Sequence, residues 1–195
     1  MKSTLVLIRH GEIVRPPYTS NFDRAPLSER GEEQIRELAR AWPVDRPTAL
    51  FSSALRRAIE SAILLGQEFR LGLSKRACLK EWTPDDSGIP QDEYKALERK
   101  GWADLDFVPP SKESLSQAAV RGRRCLEGIA AEVDGKTAAV MGHGTLFSLV
   151  AAALKGERPT EAYKESIGFA YAAIVEAGSE LRLVRDFRPY GTSPR

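Results

Sequence analysis

Apolar positions along this chain follow two rhythms in alternation, short continuous runs and longer stretches at helical spacing. Thr4-Leu-Val-Leu-Ile8 is an unbroken apolar run with β-branched residues, the pattern of a strand covered on both faces. It stops abruptly at Arg9-His10-Gly11. After a Pro-containing loop, Leu27-Ser-Glu-Arg-Gly-Glu32 opens a helix on which Ile35, Leu38, Ala39 and Trp42 share a face, with Ser28 as cap and Pro43 as stop. Residues 48–52 read as a second strand, and Ser53 precedes a helix with Leu55, Ala58, Ile59, Ala62, Ile63 and Leu65 on its apolar face. A short third strand is expected at Ala77-Cys-Leu79.

The pattern then breaks. Pro84, Gly88, Pro90, Pro109 and Pro110 interrupt the next segment, which has room for one short helix over residues 92–99. A long helix over residues 113–133, a strand over 137–141 and an apolar helix over 145–154 follow, with Gly142-His143-Gly144 between the last two. Residues 169–176 and 180–187 read as two strands around an Ala177-Gly-Ser179 turn, a hairpin at a sheet edge. The whole predicts one α/β domain over residues 1–195, a mostly parallel sheet with helices on both faces. Ligands of such sheets gather at the carboxyl ends of the strands.

Composition narrows the picture. Apolar residues make up 42% of the 195, enough for a sizeable core, and the 29 basic and 27 acidic residues nearly balance at a net charge of +2. That balance gives no support to a nucleic-acid or membrane-surface partner. The apolar run at the start is too short for a signal-peptide core or a membrane span, so the cytoplasm is the expected compartment. Cys78 and Cys125 lie far apart without a CxxC spacing and read as buried packing residues rather than a disulfide, a catalytic thiol or a metal site.

Only two histidines occur, and both stand at a strand end followed by glycine: His10 before Gly11, and His143 before Gly144. Arg9 adjoins the first, and Arg57 falls in the opening turn of the helix after the second strand. Guanidinium groups match phosphate with paired hydrogen bonds, and helix N-termini add N–H donors. Neutral imidazole is a nucleophile near neutral pH, able to carry a phosphoryl group between two transfers. A leaving alkoxide then needs a carboxylic acid close by, and arginine and histidine can neutralise the phosphoryl oxygens where other enzymes use magnesium. No acidic cluster with metal-ligand spacing competes, so neither metal nor cofactor is expected.

Four stretches in order resemble the histidine phosphatase superfamily, the phosphoglycerate-mutase-like proteins. These are Arg9-His-Gly11, Pro26-Leu-Ser-Glu-Arg-Gly31-Glu-Glu-Gln34, Ser53-Ala-Leu-Arg-Arg57-Ala-Ile-Glu-Ser-Ala62 and Gly142-His-Gly144. The resemblance implies that His10 is the nucleophile and that Arg9, Arg57 and His143, with Gly11 and Gly144, surround the phosphate, His143 also stabilising the transition state. It places the proton donor soon after the third strand. Leu79-Lys-Glu81 matches the start of that pattern and names Glu81, while the residues that follow depart from it and leave Asp85, Asp86 and Glu12 as alternatives.

Gly11-Glu12 continues into Ile13-Val-Arg15-Pro-Pro17, without the Ser or Thr and the Asn that mutases and many phosphatases of the family carry there. Arg15 either replaces a lost donor or is a solvated loop residue. The resemblance therefore implies a metal-independent phosphomonoesterase working through phosphohistidine, ahead of a phosphoglycerate-type mutase or a non-catalytic phosphate-binding adaptor. Its partner would be a phosphorylated small molecule or protein side chain, and the sequence leaves substrate and oligomeric state open. Residues 82–116 fall where the family inserts a lid over the strand ends. Of its aromatics, Trp82, Tyr94, Trp102 and Phe107 are expected mainly to form the lid's own core, and Glu98-Arg-Lys100 a solvated face.

Overall fold

The computed structural model describes residues 2–16 and 21–191; the rest of the Pro-containing loop, residues 17–20, lies outside them. Six strands form one sheet in the order β3-β2-β4-β1-β5-β6. β1 (Ser3–Arg9), β2 (Ala49–Ser52), β3 (Leu73–Lys75) and β4 (Thr137–Gly142) are parallel, with β4 inserted between β1 and β2. β5 (Ala172–Ala177) runs antiparallel to β1, and β6 (Leu181–Arg188) completes an edge hairpin with it. The helices are α1 (Glu29–Arg40), α2 (Arg56–Phe69), α3 (Gln91–Ala103), α4 (Leu115–Val133), α5 (Gly144–Lys155) and α6 (Glu161–Ser166). This is the mostly parallel, two-faced α/β sheet with an edge hairpin that the pattern predicts.

The unbroken apolar run of β1 reflects cores on both faces of the sheet. Leu5 and Leu7 pack with Leu126 and Ile129 of α4 and Phe147 and Val150 of α5. Val6 and Ile8, pointing the other way, meet Ile35 and Leu38 of α1 and Ala58, Ala62 and Leu65 of α2. The starts of two helices are fixed locally. The Ser28 side chain accepts from the Gly31 N–H, and Ser114 and Gln117 form a reciprocal capping box at α4.

Three expectations need correction. β3 lies at Leu73–Lys75, and Ala77–Leu79 forms a single 3-10 turn instead. The chain leaves α2 through the left-handed Arg70 (φ 57°) and pairs at once with β2, Leu73 against Leu50. By residue 76 that partner has run out, since the Arg76 N–H takes the carbonyl of the last β2 residue, Ser52, at 2.8 Å. The turn then drops Leu79, fully buried, into the core. Second, Cys78 and Cys125 are joined in a disulfide with Cα atoms 5.8 Å apart, because the same turn lies against α4. They remain core residues, but linked ones. Third, the strand expected from residue 169 begins at Ala172, because the chain first turns through Ala170 (φ 55°), whose N–H bonds the Arg9 and His10 carbonyls. The short helix α6 carries no apolar stripe and was not foreseen.

In the 82–116 segment, buried Trp82 and Trp102 pack with Leu115 and Ala118 on Leu146 and Leu149 of α5, so of the four aromatics expected to form the segment's own core only these two join a cluster, and that cluster is shared with α4 and α5; Tyr94 lines a cavity instead. The Trp82 indole N–H donates to the Glu113 carbonyl at 2.8 Å. Among the described residues no helix is long and apolar enough to cross a membrane.

Candidate functional site

The strand order places the two histidines side by side. Arg9 at the end of β1 is in register with Gly142 at the end of β4, and the His10 N–H donates to the Gly142 carbonyl at 3.0 Å. Their ring centroids are 5.3 Å apart, edge to face. Both side chains are buried. The His10 Nδ1–H donates to the Gly11 carbonyl at 2.7 Å, which fixes the tautomer and makes Nε2 an acceptor. That Nε2 accepts from the Arg57 Nε–H at 3.2 Å. Burial first, and then the Arg57 charge, holds the His10 imidazole well below its ordinary value. His143 is held well below for the same two reasons, in the same order. Its Nε2 is 2.8 Å from the Ser53 hydroxyl, while its buried Nδ1 has no hydrogen-bond partner among the described residues.

Two arginines frame the pair. Arg57 opens α2, is buried, and donates from Nη1 to the Phe22 carbonyl at 2.7 Å. Arg9 donates to the Ile167 carbonyl and lies over the Phe169 ring, 4.2 Å from its centroid, and its buried Nε has no partner among the described residues. Burial pulls both guanidinium groups down, and the charge of Glu81 pulls both back up. The glycines permit close crossings. A Cβ on Gly11 would lie 2.3 Å from the Gly31 carbonyl oxygen, so the strand end and the start of α1 touch backbone to backbone. A Cβ on Gly144 would lie 3.3 Å from Arg9 Nε.

Glu81 occupies the N-terminus of α5. It accepts from the Thr145 N–H at 3.0 Å, the Leu146 N–H at 2.9 Å and its neighbour's Trp82 N–H at 3.0 Å. The alternative carboxylates are otherwise placed. Glu12 accepts from the Ser28 hydroxyl at 2.9 Å, at the start of α1. Asp85 takes both the hydroxyl and the N–H of Ser87, bonds that hold its carboxyl below the usual range. Asp85 and Asp86 line a small cavity of about 40 Å³ together with Arg57, Glu81 and Tyr94. The Tyr94 phenol, pushed up to about 12 chiefly by burial, stays protonated there, 3.2 Å from the Thr83 hydroxyl. Among the described residues no group of three His, Cys, Asp or Glu side chains could hold a metal ion.

The structure thus brings His10, His143, Arg9, Arg57, Gly11, Gly144 and Glu81 together. It also adds residues that sequence reasoning missed. Phe169 packs on Arg9 and lies 5.6 Å from the His10 ring, Ser53 touches His143, and the Ser61 hydroxyl takes the Gly11 N–H at 3.1 Å. Ser53 and Ser61 sit inside a stretch already singled out and could have been read from it; nothing local marks Phe169. Buried guanidinium donors beside two neutral imidazoles are an arrangement able to receive an anion, with one unprotonated ring nitrogen facing it.

Comparison with known proteins fits this geometry. Residues 5–183 match the family model of the histidine phosphatase superfamily (branch 1). No curated protein matches the sequence significantly. Among solved structures, a mycobacterial glucosyl-3-phosphoglycerate phosphatase is 22% identical over 99% of this chain and 100% of its own, with a TM-score of 0.74. A phosphoserine phosphatase from Entamoeba histolytica, solved with phosphoserine, is 19% identical over 95% and 96%, with a TM-score of 0.78. A phosphoglycerate mutase from Bacillus anthracis str. Sterne is 19% identical over 95% and 92%, with a TM-score of 0.76. At these identities the likeness shows a shared fold, and phosphatases and a mutase share it alike.

Proposed function

The chain belongs to the histidine phosphatase superfamily, branch 1, and on that footing we propose that it is a phosphomonoesterase that works without metal through a phosphohistidine on His10. The observation that carries this reading is the state of His10: a neutral ring, its tautomer fixed by the Gly11 carbonyl, with Nε2 directed at the Arg57 guanidinium. A phosphoryl group drawn to Arg57, Arg9 and the unpartnered Nδ1 of His143 meets that electron pair. Nε2 attacks phosphorus, the ester P–O bond breaks, and the leaving oxygen takes a proton from Glu81. In the second half, water attacks the phosphohistidine, the P–N bond breaks, and Glu81 takes the proton back. Residues 82–116 act as the lid of this site in the same reading, since Trp82, Thr83 and Tyr94 line the cavity next to Arg57.

The test is release of phosphate from a chromogenic aryl phosphate in excess chelator, parent against His10→Ala. The expected outcome is chelator-insensitive turnover that falls by about a thousandfold or more in the variant, with an acid-labile phosphoryl group trapped on the parent. Isomerisation of a phosphorylated sugar acid without free phosphate would favour the mutase. Tight phosphate binding without turnover would favour an adaptor, in which Glu81 would serve only as the cap of α5 through its bonds from the Thr145 and Leu146 N–H groups.

A further inference from the structure

Capping α5 does not use up the Glu81 carboxylate. Its Oε1 accepts from the Leu146 and Trp82 N–H groups, while Oε2 accepts only from that of Thr145. A carboxylate oxygen accepts about two bonds, so among the described residues Oε2 keeps one acceptor position. Glu81 also lines the cavity of about 40 Å³ that it shares with Arg57, Thr83 and Tyr94. A water needs roughly 10–15 Å³ of such space and two or more polar partners, so this lining suits about three.

The two hydroxyls in that lining have their directions set. Thr83 donates to the Asp85 carbonyl at 2.6 Å, so in its 3.2 Å bond with Tyr94 the phenol is the donor. The phenol has that proton to give at neutral pH, since burial pushes it up to about 12. With its proton on Thr83, Tyr94 Oη has only lone pairs left and can only accept. Arg57, on the same cavity, donates to His10 Nε2.

A water that attacks phosphorus needs acceptors for both hydrogens and a lone pair left over. We propose that this cavity holds the water that hydrolyses the phosphohistidine, one hydrogen on Glu81 Oε2 and the other on Tyr94 Oη. As the alcohol departs, the lone pair of that water forms the new P–O bond. The P–N bond breaks, its electron pair returns to His10 Nε2, and the proton passes to Glu81. Tyr94, with Thr83 behind it, orients the water and thereby sets the acceptor. An alcohol brings one hydrogen and cannot bond both oxygens, so the pair favours hydrolysis over transfer. This rests on the phosphomonoesterase reading and adds to it the choice of acceptor.

An aryl phosphate turned over in aqueous methanol of fixed composition yields methyl phosphate and orthophosphate from one phosphoenzyme. Their ratio reads that choice whatever fraction of the protein is folded, so a merely structural role would not move it. Tyr94→Phe takes an acceptor from water and nothing from methanol, and should raise the ratio of methyl phosphate to orthophosphate about tenfold. Thr83→Val, which frees the phenol proton to point at the water, should raise it by a similar factor. The double variant should go no further than either single one, because the two hydroxyls act as one unit. Equal ratios in parent and variants overturn the proposal and leave the phosphatase reading standing. A parent that forms no phosphoenzyme overturns both.

Discussion

Folding removes two imidazoles from water and surrounds them with guanidinium charge, which has a consequence for stability. His10 and His143 are both held well below 6.5, by burial first and by Arg57 second, so they are neutral in the folded chain. An unfolded histidine takes up its proton as pH falls through about 6.5. Below that point the unfolded state binds more protons than the native one, so stability is full above it and is lost on the way down to the folded values. The urea midpoint of the parent is therefore expected to fall between pH 7.5 and 5, and His143→Gln, which cannot titrate, should flatten that slope. An identical slope in the variant would show that the ring takes up its proton as readily in the folded chain as in the unfolded one. At this scale the sequence showed the candidate groups but not what holds them. Arg9, His10 and His143 were legible because such residues at strand ends are costly unless used, and Arg57 because it opens the helix after β2. Phe169 was not, because its approach to Arg9 and His10 follows from a turn at Ala170 far along the chain.

Among the elements, the segment carrying Glu81 is fixed by several independent means. The Cys78–Cys125 disulfide ties the preceding turn to α4, Arg121 donates to the Cys78 and Lys80 carbonyls, and Glu81 itself caps α5. Closing a loop with a sequence separation of 47 restricts the unfolded chain. Removing the link should cost about 2–4 kcal/mol. Chemical denaturation of the parent with and without reductant, beside Cys78→Ala/Cys125→Ala, measures it; coincident curves would mean that the cysteines are not joined in solution. Turnover by the reduced protein should survive, since the Arg121 and α5 contacts do not depend on sulfur. The α1 cap at Ser28, the α4 and α5 stretches and the hairpin turn were readable because their signals are local, while the Ser53 cap expected for α2 was not found, Leu55 standing there without a side-chain bond. The position of β3 was not: where a short strand ends depends on how far its neighbour β2 extends.

For the whole molecule, the receptor at the strand ends predicts linkage between anion binding and folding. Orthophosphate at about a hundred times its Kd should stabilise the chain by about 2.7 kcal/mol, raising Tm by roughly 5–11 °C for a domain of this size. Arg57→Gln should lose most of that rise while chloride at equal ionic strength produces little in either protein. An equal rise in parent and variant would place the anion elsewhere.

By itself the sequence determined the class of fold, because hydrophobic periodicity records which faces are buried. It also singled out His10, His143 and Arg9 as candidates for the site, because a histidine or arginine at the end of a buried strand has few structural uses. Only the tertiary structure decided that β4 lies between β1 and β2, which sets His143 against His10 across 133 residues of chain. It likewise decided that Cys78 meets Cys125, and that Arg57, Glu81 and Tyr94 share one cavity. The physical reason is common to all three. Strand order, side-chain pairing and cavity walls arise from contacts between segments distant in the chain, and no local propensity encodes them.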